Sequence, residues 1–157
     1  MSTSTVSSTA ATEAWGLVWR IFSADKPRRM VTLNELGLAP MQAMALTSLQ
    51  PGEPMPMSAL AERLFCDASN VTGIADRLET RGLVRRESLA GDRRVKALTI
   101  TPSGIKLRRQ VMNLMSEPPD AIAALSDVDQ RALRDILARA VEHLRAAGES
   151  EQVAPQG

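Results

Sequence analysis

The sequence predicts a mainly α-helical fold with one small β-hairpin, and three observations carry that expectation. Aromatic residues are scarce: Trp15, Trp19, Phe22 and Phe65, with no tyrosine, make up 3% of 157 residues. Leu, Ala, Val and Met must then fill the core, which suits helices packing on helices. Apolar residues recur at i, i+3, i+4 and i+7 in several windows, the helical period. Only between Leu83 and Thr101 does the pattern switch to alternation, around a Gly91-Asp92 turn. An apolar content of 44% is enough for a packed core in a single domain of this length.

Taken in order, residues 1–11 are rich in Ser, Thr and Ala and read as a flexible tail. A first helix is expected over Thr12 to Ala24, with Trp15, Val18, Trp19 and Phe22 on one face. Pro27, within the charged stretch Asp25 to Arg29, is expected to end it and leave a connector. Pro40 suits the first position of a second helix, whose stripe is Met41, Met44, Ala45 and Leu49. Pro51 to Pro56, with three prolines and a glycine, is a loop. Ser58 is the expected N-cap of a short third helix that turns Leu60, Ala61 and Leu64 inward. A fourth helix should run from an Asp67 N-cap to Gly82 at its C-terminal turn. Val71, Ile74, Ala75 and Leu78 form its core stripe, and Ser69, Asn70, Thr72, Gly73, Asp76, Arg77 and Thr80 its opposite face. These two helices, joined tightly through Phe65 to Asp67, make a helix-turn-helix.

The alternating stretch supplies two strands, Leu83 to Glu87 and Arg94 to Thr101, with Ser88 to Arg93 as the turn. Val95, Ala97 and Thr99 alternate with Arg94, Lys96 and Leu98, so one face is expected against the core and one in water. A helix-turn-helix followed directly by such a hairpin is a winged helix. Pro102 starts a helix to about Glu117, two prolines interrupt it, and Ser126 caps a last helix. That helix carries Val128, Leu133, Ile136, Leu137, Ala140, Val141 and Leu144. A monomer of this size would struggle to cover both this face and the Trp15/Trp19/Phe22 face, so dimerisation through the two chain ends is expected. The domain organisation is then a tail over 1–11 and one domain over 12–147. Within it, 12–37 and 103–147 are dimerisation helices and 38–102 the winged helix-turn-helix; 148–157 is a second flexible tail.

Formal net charge is only +1, but its distribution is uneven. Ten of the nineteen basic residues fall between Arg77 and Arg109, against three acidic ones, a local excess of seven. The single cysteine, Cys66, excludes an internal disulfide and fits a reducing compartment. With one cysteine and one histidine, no metal site or nucleophile–base pair is expected from one chain, so no cofactor and no enzymatic activity are foreseen. The start of the chain lacks the apolar stretch of a secretory signal, and no apolar run nears the roughly 20 residues of a membrane span. A cytoplasmic protein without membrane contact is the expectation.

Five motifs occur in a definite order and spacing: Leu38, Pro40 and Gln42; Leu60-Ala-Glu-Arg-Leu64; Asp76-Arg-Leu-Glu79 followed by Arg81-Gly-Leu-Val-Arg85; Gly91-Asp-Arg-Arg94; and Leu98-Thr-Ile-Thr-Pro-Ser-Gly104. Over Leu38 to Gly104 the chain thereby resembles the MarR family of bacterial winged helix-turn-helix transcriptional regulators. The resemblance implies a homodimer that binds double-stranded DNA sequence-specifically, usually as a repressor released by a small ligand or an oxidant. A two-fold dimer implies a pseudo-palindromic operator. The alternative is a winged-helix protein-interaction module without DNA binding, its basic face meeting an acidic protein.

Duplex DNA would draw on these residues in distinct ways. Ser69, Asn70, Thr72 and Arg77 have the side-chain types that touch base edges or phosphates from a reading helix, although first-turn polarity beside the Asp67 cap is the plain structural reading. Gly73 stands where the family often has a long polar side chain; it either lets DNA approach the backbone or reduces base contacts. Asp92 and Arg94 resemble the family's wing pair, in which the acid holds the turn and an arginine reaches for the minor groove. Arg93 between them competes for that role. Arg85, Arg86 and Lys96 are expected at phosphates. Cys66, just before the reading helix, is a candidate redox sensor or, more simply, a small core hydrophobe. Trp15, Trp19, Phe22, Met44 and Met112 are candidates for a pocket that takes a small apolar or aromatic effector, against the plainer reading of core packing.

Overall fold

The computed structural model describes residues 9–89 and 91–152, without the side chains of Arg93 and residues 147–152. The chain forms two compact units, residues 1–117 and 118–157. The first contains α1 (Thr9–Glu35), α2 (Pro40–Ser48), β1 (Met55–Pro56), α3 (Met57–Leu64), α4 (Ala68–Thr80), β2 (Val84–Leu89), β3 (Asp92–Ile100) and α5 (Pro102–Ser116). The second contains α6 (Asp120–Ala123) and α7 (Asp127–Gln152). No described helix is long and apolar enough to cross a membrane. The mainly helical winged helix-turn-helix expected from the sequence is the observed architecture.

The core of the first unit is built by small and aliphatic side chains, as the lack of aromatics requires. Leu46 of α2, Leu49 just after it, Leu60 of α3, Val71 and Leu78 of α4, Leu98 of β3 and Val111 of α5 are all fully buried. Of the four aromatics, none is buried: Trp15, Trp19, Phe22 and Phe65 are all exposed. The expected stripe of α4 holds, with Val71, Ala75 and Leu78 buried and Ile74 partly so.

Helix ends follow the sequence signals where capping chemistry is local. The Asp67 carboxylate accepts the Asn70 N–H at 2.8 Å, which with the Ser69 hydroxyl holds its pKa below the ordinary value. Ser126 accepts from the Asp129 N–H at the start of α7. At the end of α4, Gly82 (φ +68°) donates to the Glu79 carbonyl at 2.8 Å and Leu83 to that of Leu78 at 3.0 Å, a Schellman closure. Helix α3 ends with the same pair of bonds, Phe65 to Glu62 and Cys66 to Ala61, but its left-handed residue is Phe65, at φ +49° and 96% exposed.

Several expectations need correcting. Helix α1 begins at Thr9, inside the supposed tail, and runs through Pro27 to Glu35. Next to Pro27 the helix is tied down both to its own turns and to the end of α5. Arg28 donates to Asp25 and Glu117, each at 2.8 Å; Arg29 donates to Asp25 and to the Leu114 and Glu117 carbonyls at the end of α5. Chiefly through its bond to Arg28, and despite burial, the Asp25 carboxyl is held below its usual pKa. Helix α3 starts at Met57 after Pro56, so Ser58 lies within it and is not its N-cap. The supposed loop before it contains β1, which makes the sheet three-stranded in the order β1-β3-β2. Strand β3 is thus central, and at its base both faces are covered: Ala97 and Thr99 are buried, and so are Leu98 and Ile100. The buried Thr99 hydroxyl donates to Glu87 at 2.6 Å. Helix α6 falls in the expected interruption, and α7 continues to Gln152, past the expected end of the domain. The remainder of both expected tails, 1–8 and 153–157, lies outside the described residues.

The base of the hairpin is locked to α5. Thr101 donates its N–H to the Leu83 carbonyl at 3.0 Å and its hydroxyl to the Gly82 carbonyl at 2.6 Å, and its oxygen caps Gly104 N–H at 3.1 Å. A Cβ on Gly104 would fall on the Leu83 carbonyl oxygen and within 2.7 Å of Ile100.

Two stability outcomes follow from these positions. Gly104→Ala should destabilise the fold by about 2 kcal/mol, because backbone cannot yield as a flexible side chain does. Phe65→Gly should stabilise it by about 0.5–1 kcal/mol: the left-handed strain is relieved, glycine's greater freedom in the unfolded chain offsets part of that, and no buried contact is lost. Urea unfolding of the two variants beside the parent chain measures both.

Candidate nucleic-acid interface

The outward face of α4 and the adjoining hairpin form one polar surface. Ser69, Asn70, Thr72, Gly73, Asp76, Arg77 and Thr80 are all exposed. Their availability differs. The Ser69 hydroxyl donates to Asp67 at 2.7 Å and the Thr72 hydroxyl to the Ala68 carbonyl at 2.9 Å, so both offer mainly acceptor lone pairs. The side chains of Asn70 and Arg77 make no hydrogen bond among the described residues, leaving their donors for a partner. Gly73 has no atom within 4 Å of where a Cβ would stand.

On the hairpin, the Arg94 N–H donates to the Asp92 carboxylate at 2.9 Å, so Asp92 folds the turn back on its own strand. The Arg94 side chain is exposed. The Arg93 side chain lies outside the described residues. Arg85 is 69% exposed and only loosely paired with Glu87, at 3.7 Å. Lys96 is exposed, its ammonium 3.4 Å from the Ser88 hydroxyl.

Arg86 is placed differently from its neighbour. Side chains alternate along β2, so Arg86 shares a face with the buried Val84 and turns towards α4. It meets Asp76 at 2.6 Å, Glu79 at 2.7 Å and the Thr72 carbonyl at 3.2 Å, and its own N–H donates to Glu79 at 3.0 Å. Arg81 is likewise engaged, donating to the Gly37 and Leu36 carbonyls at the end of α1. Two arginines of the basic window therefore serve the protein's own geometry. Charge counting alone misses this; the period-2 register of β2 is the sequence signal that separates Arg85 from Arg86.

A cavity of about 500 Å³ opens between α3, α4 and the hairpin, lined among others by Met57, Val71, Thr72, Arg86 and Lys96. None of the candidate effector residues lines it. Trp15, Trp19 and Phe22 lie exposed on α1, with the rings of Trp19 and Phe22 6.0 Å apart, and Met44 and Met112 are about half exposed on α2 and α5. Cys66 is partly buried against the core.

Residues 38–96 match the MarR family. A putative transcriptional regulatory protein for the hcr operon of Thauera aromatica is 31% identical over 71% of this chain and 67% of its own length. The chain belongs to the MarR family. The HTH-type transcriptional repressor MdtR of Bacillus subtilis is 34% identical over 54% of this chain, and the match spans only about half (54%) of that repressor. In fold, the chain resembles a variant of MepR from Staphylococcus aureus bound to an oligodeoxyribonucleotide, with a TM-score of 0.62 at 22% identity, covering 83% of this chain and 97% of that one.

In this MarR-family chain Gly73 is a helix-interior glycine with open space around it, a choice that weakens α4. Gly73→Ala should stabilise the protein by about 0.5–1 kcal/mol. A rise in the thermal midpoint of the variant checks it.

Proposed function

We propose that this protein is a sequence-specific DNA-binding transcriptional regulator, a repressor that acts as a homodimer on a pseudo-palindromic operator and answers to a small effector. One observation carries the reading: exposed Asn70 and Arg77 on α4 stand in the same unit as the solvent-facing cations Arg85, Arg94 and Lys96 of the hairpin. A helix of that surface chemistry suits a major groove, and a basic hairpin tip suits a narrow minor groove beside it. Ser69, Thr72 and the bare backbone at Gly73 complete the reading face, with Arg93 beside Arg94 at the tip. Similarity to a named repressor and to a DNA-bound fold neighbour points the same way.

Self-association is supported by two apolar faces, one in each unit. Trp15 is 67% exposed on α1 with Trp19 and Phe22 alongside, and Val128, Ile136, Val141 and Leu144 are exposed on α7. A second copy of the chain is the occupant proposed for both, and Trp15, Trp19, Phe22, Met44 and Met112 would then be drawn into an effector pocket. The role needs no catalytic chemistry, and its place is the cytoplasm.

Selection of bound fragments from the source genome defines the operator. Against that operator, Arg94→Ala should weaken binding several-fold and reduce the slope of log affinity against log salt by about 0.9, one released counterion. Unchanged affinity and slope would remove Arg94 from the interface. A protein-interaction module would bind neither the selected fragment nor random duplex at any salt concentration.

A further inference from the structure

We propose that Arg86 is a positioning residue that straps β2 to the reading helix α4, fixing the angle between wing and helix, and that it does not contact a phosphate. The inference rests on the DNA-binding reading above. Its ground is the convergence of four bonds on one residue: three acceptors on α4 take its guanidinium, and Glu79 takes its backbone N–H as well. Those acceptors, Thr72, Asp76 and Glu79, lie at i, i+4 and i+7, so one arginine grips two turns of the helix along a single line. A guanidinium presents its donors to these acceptors in one rigid planar fork; an ammonium, a compact point charge, does not reproduce that spread.

Exposure agrees with that role. The Arg86 side chain is 28% exposed against 69% for Arg85, one residue earlier on the same strand. Burial works against its charge, and the Asp76 and Glu79 carboxylates outweigh that, so the guanidinium is held more firmly protonated than usual. The strap also explains two carboxylates on a helix proposed to face a polyanion. Asp76 and Glu79 serve as the anchor of the strap, and Arg86 partly neutralises them in place.

The strap and a phosphate contact predict opposite outcomes. In salt titrations on the selected operator and on random duplex, Arg86→Gln should lower operator affinity at least tenfold. The salt slope should stay at the parent value, and the operator-to-random ratio should fall. Arg86→Lys, which keeps the charge but not the fork, should not restore that ratio. If Arg86 touched a phosphate, the Gln variant would lose about 0.9 from the slope with the ratio unchanged, and Lys would largely rescue it. A second variant does not depend on removing Arg86. Asp76→Asn combined with Glu79→Gln should lower the ratio, whereas release of a phosphate-seeking arginine would raise both affinities and leave the ratio where it was. A ratio unmoved in both variants, with a parent chain that does prefer its operator, overturns the Arg86 assignment alone. A parent chain without preference for any fragment overturns the regulator reading and this one together.

Discussion

Everything in the first unit hangs on the junction where Gly82 and Leu83 meet Thr101 and Gly104. There the end of α4 becomes β2, and the end of β3 becomes α5. The left-handed Gly82 closes α4, and the next carbonyl, on Leu83, takes the Thr101 N–H. Thr101 then uses its one hydroxyl twice, donating to the Gly82 carbonyl and capping Gly104. Four backbone groups at a helix end, a strand start and a helix start are thereby satisfied: the Leu83 carbonyl and the Thr101 N–H by each other, the Gly82 carbonyl and the Gly104 N–H by the Thr101 hydroxyl. Because Gly104 rests directly on the Leu83 carbonyl, the reading helix, the hairpin and the long α5 share one fixed point.

From that point outward, the surface divides its cations between two tasks. Arg81 ties α4 to the end of α1, Arg86 ties β2 to α4, and Arg28 with Arg29 ties α1 to the end of α5. Arg85, Arg94 and Lys96 stay in water. A chain of nearly zero net charge can thus leave exposed cations along its hairpin while Asp76 and Glu79, the carboxylates nearest to it on α4, are paired with Arg86.

What was legible in the sequence was what local chemistry decides. Asp67 and Ser126 cap as their types suggest, Pro40 and Pro102 open helices, and Gly82 closes one, since each acts on its own neighbours within a turn. Two departures, at Pro27 and at β1, lie where distant parts of the chain take part. Pro27 ought to break α1, and does not; beside it Arg28 and Arg29, both held by Asp25, bind groups at the end of α5 some 90 positions away. The two residues of β1 were invisible because strand character in so short a segment comes entirely from its partner β3. On the hairpin, residue types were readable but commitments were not. Arg85 and Arg86 look alike in sequence, and only the side of the strand on which each falls tells a solvent-facing cation from a structural tie.

The order of the sheet settles how these molecules do not associate. Its outer strands are β1, two residues long and ending in a proline with no N–H to offer, and β2, whose six residues include three charged ones. Neither margin invites a foreign strand: one is too short and loses a donor at Pro56, the other carries charged side chains along its length. Growth by edge-to-edge zippering into fibres is disfavoured at both sides.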